Sequence, residues 1–170
     1  MPTRRQLRFE SLDAAVRDAE YLLAAGYDRV GRWDLAQCLD HLAAWLTYPV
    51  DGFPRTPLLL RPVFALVRAT AGRGMLTKYL REGMPAGKPT MPQSVTTPGG
   101  DPAAALGRFR AAAGRFTAHA GEYLPSPLFG PLTRDEALRV QLAHCAHHLS
   151  FLVPKASHET TPPPAPAAAL

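Results

Sequence analysis

The first clear signal in the chain is a helical period of apolar residues over positions 12–25. Five apolar side chains fall on one stripe there: Leu12, Val16, Ala19, Leu22 and Leu23. Ser11 precedes the stripe, and serine is a favoured N-cap because its hydroxyl accepts a backbone N–H of the first turn. Gly26 follows the stripe at the position where helices commonly end. We therefore predict a helix over residues 12–25.

A second amphipathic stretch covers residues 35–48. It opens on Asp34 and Gln37, whose spacing is that of a capping box, in which each side chain satisfies a backbone N–H of the helix start. Pro49 and the Asp-Gly-Phe-Pro turn at 51–54 are expected to end this helix, because proline lacks the N–H that a helix needs.

The rest of the chain continues the helical pattern with one long irregular connection. Residues 83–101 are rich in proline and glycine and indicate a loop or crossover without regular structure. Asp101 followed by proline, and the capping box of Thr133 with Glu136, mark two further helix starts. The predicted helices of this part are 62–81, with boundaries blurred by Gly72 and Gly74, 102–123, and 134–152.

These elements predict an all-α fold, a four-helix bundle with a long crossover that carries an extra helix. Short loops and four substantial helices favour a bundle, and alternating strand patterns are scarce. We assign residues 1–156 to a single bundle domain. Residues 157–170 form a proline- and alanine-rich tail that is expected to be disordered.

Composition narrows the functional classes. The formal net charge of +5 over 170 residues is spread thinly, with no basic run interleaved with aromatic residues, so nucleic-acid binding is not expected. No apolar run is long enough for a membrane span, and residues 1–20 lack the apolar core of a signal peptide. Two cysteines do not form a secreted disulfide framework. We expect a cytoplasmic, reduced protein.

Three histidines on two predicted helices are the strongest chemical signal. His144 and His148 are spaced i, i+4, so both imidazoles project from one helix face about a turn apart. His41, on the second helix, would complete a set of three nitrogens and leave coordination positions open for water or substrate, as in catalytic metal sites. Leucines flank all three positions, and a shared metal would satisfy three imidazoles on core-facing helices.

Several neighbours of this trio leave the ligand set open. His147 points along the helix flank, and a His144–His147 pair is a less favoured alternative to His144–His148. Cys38 and Cys145 adjoin the site in sequence, but buried cysteine usually acts as a small apolar residue. Gln37 lies one turn before His41 and could support the site. Its role in the capping box already explains why a glutamine is found at this position.

Three further residues near the histidines have ordinary explanations. Trp33 and Trp45 are expected to anchor the core, and either is able to wall a pocket. Asp40 adjoins His41 but points away from it, so we expect a solvated or salt-bridged carboxylate there.

Several segments resemble those of a known superfamily. Trp33 followed by His41, with H-x-x-x-H on the last helix, resembles the DinB/YfiT-like superfamily. The segments RRQLRFESLDAAVRDAE, WDLAQCLDHLA, DGFP, REGMPAG and PLFGPLTRDEALRVQLAHCAHHLSFLVP, in this order, are similar to a bacterial subgroup of it with no assigned reaction. The similarity covers about residues 4–155.

The resemblance implies a four-helix bundle with a long crossover, and it implies that His41, His144 and His148 are the metal ligands. Relatives include thiol S-transferases, a mycothiol-dependent isomerase and candidate metal hydrolases. The cofactor implied is a divalent ion, zinc or nickel first and iron or manganese next. A fold alone does not set the reaction.

Together these features predict a metal-dependent hydrolase or thiol S-transferase. Its expected partners are a small-molecule substrate or a thiol cofactor, with no nucleic acid and no membrane, and the chain is expected to be a monomer or homodimer. The alternative is a non-catalytic module, either a metal-stabilised binding protein or a stress-associated interaction protein. The absence of an acidic residue at an obvious general-base position slightly favours thiol chemistry over hydrolysis.

Overall fold

The computed structural model describes residues 3–55, 57–87 and 90–155, which fold as a helical bundle. Two three-residue strands and short 3₁₀ turns at Leu58–Leu60 and Pro92–Ser94 complete the secondary structure of these ranges. The prediction of an all-α bundle is confirmed. In chain order the elements are α1 (Leu12–Ala25), β1 (Tyr27–Arg29), α2 (Leu35–Asp51), α3 (Arg61–Thr70), α4 (Gly72–Glu82), α5 (Pro102–Ala118), α6 (Arg134–Leu149) and β2 (Leu152–Pro154).

Helices α1, α2, α5 and α6 enclose the core. The most extensive helix–helix contact joins α2 to α5, and α6 packs on both α1 and α2. The apolar stripes read from the sequence face inward, since burying them removes apolar surface from water. The largest fully buried apolar side chains include Phe109 and Phe116 of α5, Leu39, Leu42 and Leu46 of α2, Leu22 of α1 and Leu149 of α6.

The crossover between α2 and α5 contains two helices where the sequence predicted one over 62–81. The break falls at Ala71, and Gly72 begins α4. A side chain at Gly72 would place its Cβ 2.8 Å from the carbonyl oxygen of Leu128, so only glycine allows this close approach. Helix α3 buries none of its residues, whereas α4 packs against α6.

Three predicted helix ends were wrong. Pro49 lies inside α2, which continues to Asp51. Helix α5 stops at Ala118 instead of 123 because the chain turns back and stacks Tyr123 on Phe116, with 4.4 Å between ring centroids. Helix α6 stops at Leu149 instead of 152, because the following residues form a strand.

That strand belongs to a small sheet that the sequence did not predict. β1 pairs antiparallel with β2, in the register Tyr27 with Pro154, Asp28 with Val153 and Arg29 with Leu152. Each strand has only three residues, too few to show an alternating pattern. The sheet fastens the segment before α2 to the segment after α6, so it brings together the two helices that carry the three histidines.

Two sequence predictions concern the chain as a whole. In the described ranges no helix is both long and apolar enough to cross a membrane. The predicted tail at 157–170 lies outside the described residues. The assignment of residues 1–156 to one bundle domain stays a prediction.

Candidate metal centre

His41, His144 and His148 meet in the interior of the bundle. One ring nitrogen from each lies within 4.8 Å of the other two, and these three histidines are a group of metal-ligand type among the described residues. The closest pair is His41 Nε2 and His144 Nε2, at 3.1 Å. His41 and His144 are buried, and His148 is half-buried. The sequence proposed this same trio, and the structure brings it together; metal ligation by it stays a prediction.

The backbone carbonyl of Ser94 fixes the tautomer of His41. His41 Nδ1 lies 3.2 Å from this oxygen, and a carbonyl can only accept, so Nδ1 carries the hydrogen. Nε2 then presents a lone pair to the cluster. Burial lowers the pKa of His41 to about 4, although the bond to Ser94 acts in the opposite direction. At neutral pH the ring is uncharged, which is the form that binds metals.

The two imidazoles of α6 are also held neutral. Burial and the neighbouring imidazoles lower the pKa of His148 to about 2 and that of His144 well below its usual value. The His41 Nε2 lone pair is 3.1 Å from His144 Nε2, so a hydrogen on His144 or a cation lies between the two nitrogens. A tetrahedral zinc ion, with bonds of about 2.0–2.1 Å, places its ligand nitrogens about 3.3 Å apart. The spacing of His41 and His144 therefore fits a divalent ion, for which His148 would supply the third nitrogen.

Two tryptophans wall the cluster. Trp33 stacks on His148 at 5.1 Å between ring centroids and 8° between planes, and it meets His41 edge-on at 4.9 Å. Trp45 meets His144 edge-on at 5.5 Å. The sequence suggested that these residues anchor the core or wall a pocket, and both contact the ligand rings.

The alternative ligands considered from sequence lie outside the cluster. His147 Nδ1 lies 3.1 Å from the Met84 carbonyl and 3.2 Å from the Arg4 guanidinium, on the flank of α6. Cys38 Sγ is 4.0 Å from the His148 carbonyl oxygen. Burial raises the pKa of both Cys38 and Cys145 to about 12, so neither thiol is a thiolate at neutral pH.

Gln37 and Asp40 have structural partners. Gln37 completes the capping box with Asp34, and its amide nitrogen donates to the Thr96 carbonyl at 2.8 Å. It therefore holds the crossover segment that carries Ser94 against α2. Asp40 forms an ion pair with Arg108 at 2.8 Å, as the sequence suggested.

Gln141 is a site residue that sequence reasoning missed. Pro49 has no N–H to donate to the Trp45 carbonyl four residues earlier in α2, and Gln141 Nε2 donates to this oxygen instead, at 3.1 Å. The other amide atom, Oε1, is buried without a hydrogen-bond partner, and so is Trp45 Nε1. Each such atom costs about 1–3 kcal/mol if nothing binds it. In the sequence, Pro49 was the only sign that the Trp45 carbonyl would accept a hydrogen bond from outside α2.

A helical bundle in which three neutral imidazoles converge from two helices, two of them buried and one half-buried, defines a candidate metal-binding bundle protein. The chain belongs to the family described as protein of unknown function (DUF1569), whose model matches residues 1–155. No curated protein and no solved structure matches the chain.

Proposed function

We propose that this protein binds a divalent metal ion, zinc or nickel, through His41, His144 and His148, and uses it to activate a water or a thiol against a small-molecule substrate. The bound ion would supply Lewis acidity, which lowers the pKa of a water or thiol enough to yield a nucleophile near neutral pH. The proposal includes the DinB/YfiT-like relationship that the sequence resemblance implies.

The observation that carries this proposal is the arrangement at His41. Its Nδ1 hydrogen is held by the Ser94 carbonyl, and its Nε2 lone pair faces His144 Nε2 at 3.1 Å. A backbone acceptor on the remote ring nitrogen is the usual partner of a metal-ligating histidine, because it sets the tautomer and the ring orientation. A buried histidine that needed only hydrogen-bond partners for its ring nitrogens would not require two further imidazoles beside it.

Of the two reactions, thiol transfer is better supported. The cluster among the described residues consists of three imidazoles with no carboxylate. Metal-dependent hydrolases of peptide type commonly use a glutamate as general base beside the ion. A thiol does not need a general base, because coordination to a metal is enough to deprotonate it.

A second candidate is a non-catalytic, metal-stabilised binding module. It is favoured by the burial of His41 and His144 beneath Trp33 and Trp45, which restricts access to the cluster. The two functions are separated by offering metal-loaded protein a panel of thiol acceptors and esters. Turnover of any of them supports the enzyme, and saturable binding without turnover supports the module.

The metal site itself is tested with the protein purified without a histidine tag and analysed for metal content and melting temperature. Metal that binds only the folded state adds about 2.7 kcal/mol of stability at a free concentration 100-fold above Kd. His148→Ala removes one of three ligands, so metal content and this stabilisation should largely disappear. His147→Ala should leave both nearly unchanged, because that ring lies outside the cluster.

The two variants carry the same chemical change on adjacent residues of α6. Equal metal loss from both would point to disturbed packing, and loss from His147→Ala alone would refute the proposed ligand set. A chelator that leaves the melting temperature of the wild-type protein unchanged would refute metal binding altogether.

A further inference from the structure

Unpartnered polar atoms are concentrated beside the histidine cluster. Across the described ranges, three buried side-chain nitrogen or oxygen atoms lack a hydrogen-bond partner: Arg5 Nε, Trp45 Nε1 and Gln141 Oε1. The last two belong to residues that contact the site or adjoin it. Because buried polar groups in folded proteins are nearly always satisfied, two such atoms on residues joined by the Gln141–Trp45 hydrogen bond indicate a ligand at this place.

The orientation of the Gln141 amide follows from its surroundings. Its nitrogen faces the Trp45 carbonyl at 3.1 Å, and that carbonyl has no helical donor because Pro49 lacks an N–H. Flipping the amide would set two acceptor oxygens against each other, so the orientation with nitrogen toward Trp45 is fixed. Oε1 is therefore a committed acceptor, and the side chain that carries it is only 4% exposed.

Both atoms belong to one end of the cluster. Gln141 lies three residues before His144 on α6, and Trp45 lies four residues after His41 on α2, so each is about one turn from a ligand on the same face. The other end is closed by Trp33, which stacks on His148. At the Gln141 end of the cluster, Gln141 Oε1 and Trp45 Nε1 therefore have no hydrogen-bond partner among the described residues.

We propose that Gln141 Oε1 and Trp45 Nε1 form a subsite for a hydroxyl group of the small molecule held at the metal. A hydroxyl is able to donate to the amide oxygen and to accept from the indole N–H, so this one group offers the kind of partner that each atom lacks. Both residues of the subsite are uncharged. The indole of Trp45 packs on the aromatic rings of Tyr48 and Phe53. This subsite rests on the proposed metal site and adds to it the class of ligand, an uncharged thiol or alcohol with a hydroxyl near the metal-binding atom.

The test compares two thiols of equal length on the full-length protein loaded with Co²⁺. The probes are 2-mercaptoethanol and 1-propanethiol, and sulfur-to-cobalt charge-transfer absorption reports the Kd of each. The hydroxyl of the first replaces the terminal methyl of the second, so the ratio of their Kd values isolates the hydroxyl. In Gln141→Met and in Trp45→Phe, the preference for 2-mercaptoethanol should fall by about 3–10-fold relative to wild type, the size expected for a lost neutral hydrogen bond.

Gln6→Met is the matched control. It makes the same change at an exposed residue of the N-terminal segment, outside the histidine cluster. The Kd ratio in this variant should equal that of the wild type. Far-UV circular dichroism and Co²⁺ content confirm that each variant is folded and loaded.

The outcomes separate the two proposals. A cobalt-loaded wild type whose Kd ratio is unchanged by Gln141→Met and Trp45→Phe overturns the subsite while the metal site stands. An equal shift in Gln6→Met also overturns it, since the effect would then be general. Failure of the wild-type protein to take up Co²⁺ overturns the metal site and the subsite with it.

Discussion

The ring of Trp33 packs against two of the three histidines. It stacks on His148 nearly in parallel and touches His41 with its edge, so one side chain orients two of the three imidazoles. At the proposed metal site, an imidazole whose ring is already held by stacking would lose less freedom on binding the ion.

Replacing Trp33 by leucine should therefore weaken metal binding. We expect the Kd for Zn²⁺ to rise roughly 10-fold, within the range found when groups supporting metal ligands are removed. Trp33→Phe keeps a flat ring and should lose far less affinity. Competition with a chromophoric chelator measures both values, and equal affinities for the two variants would show that stacking has no role.

The histidine trio could be proposed from sequence only in part. The i, i+4 spacing places His144 and His148 on one face by helix geometry alone. His41 was added as a histidine on a neighbouring predicted helix, and no local pattern shows that the two helices bring their histidines together. The Ser94 carbonyl and the Gln141 amide were not predictable, because both act through contacts between residues far apart in the chain. Pro49 was interpreted as a helix end, and its actual effect is to free a carbonyl for Gln141.

Helix α6 carries two of the three proposed metal ligands, His144 and His148. Other elements of the fold contact this helix at both ends. At its start, Glu136 completes the capping box with Thr133 and pairs with Arg73 of α4 at 2.6 Å. At its end, Ser150 accepts the backbone N–H of Arg5 at 3.0 Å and its hydroxyl donates to the His147 carbonyl at 2.6 Å. These contacts set where along its axis the helix presents His144 and His148.

The Glu136 contact predicts a pH-dependent contribution to stability. Hydrogen bonds from Arg73 and from Thr133 lower the pKa of Glu136 from 4.5 to about 2 in the folded protein. A lowered pKa stabilises the fold above the unfolded value and loses that stabilisation as pH falls from 4.5 toward 2. Glu136→Gln should therefore reduce the free energy of unfolding at pH 7 by about 0.5–1 kcal/mol.

Urea unfolding at pH 7 and at pH 2.5 measures this difference. The gap between Glu136→Gln and wild type should shrink at the lower pH, because the wild-type carboxylate is then partly protonated. The glutamine still offers an oxygen to the Thr133 N–H, so the cap is kept as a control within the same variant. A gap that does not change with pH would assign the loss to packing.

At the level of elements, capping chemistry predicted helix starts well. Ser11, Asp34, Asp101 and Thr133 each cap the helix expected from the sequence. Helix ends and the sheet were predicted poorly. The end of α5 depends on Tyr123 packing back on Phe116, a contact that no capping pattern reveals, and β1 exists because β2, more than 100 residues further along the chain, lies beside it.

For the whole molecule, Arg5 joins segments that are far apart in the chain. Its guanidinium binds both oxygens of Asp18 on α1 at 2.7 Å and the Leu149 carbonyl on α6 at 3.0 Å. Its backbone N–H also bonds the Ser150 carbonyl. One side chain thereby connects the N-terminal segment, α1 and the end of the metal-site helix.

Arg5→Lys should destabilise the protein by about 1–2 kcal/mol, because a single ammonium cannot reproduce the two-pronged contact together with the carbonyl bond. Arg8→Lys makes the same change at an exposed position of the same segment and should alter stability by less than about 0.5 kcal/mol. Urea unfolding followed by far-UV circular dichroism compares the two. Equal effects would mean that the Arg5 contacts add no net stability.

The two helices that carry the histidines lie far apart in sequence, and this separation affects the order in which contacts form during folding. His41 and His144 are 103 residues apart in sequence. Closing a loop of that length has an entropic cost that local contacts do not share, so we expect this pairing to be among the last contacts formed as the chain folds. At the proposed metal site, an ion that arrives before then would meet only the histidine pair on α6. Tight binding by all three histidines would therefore be confined to chains that have finished folding.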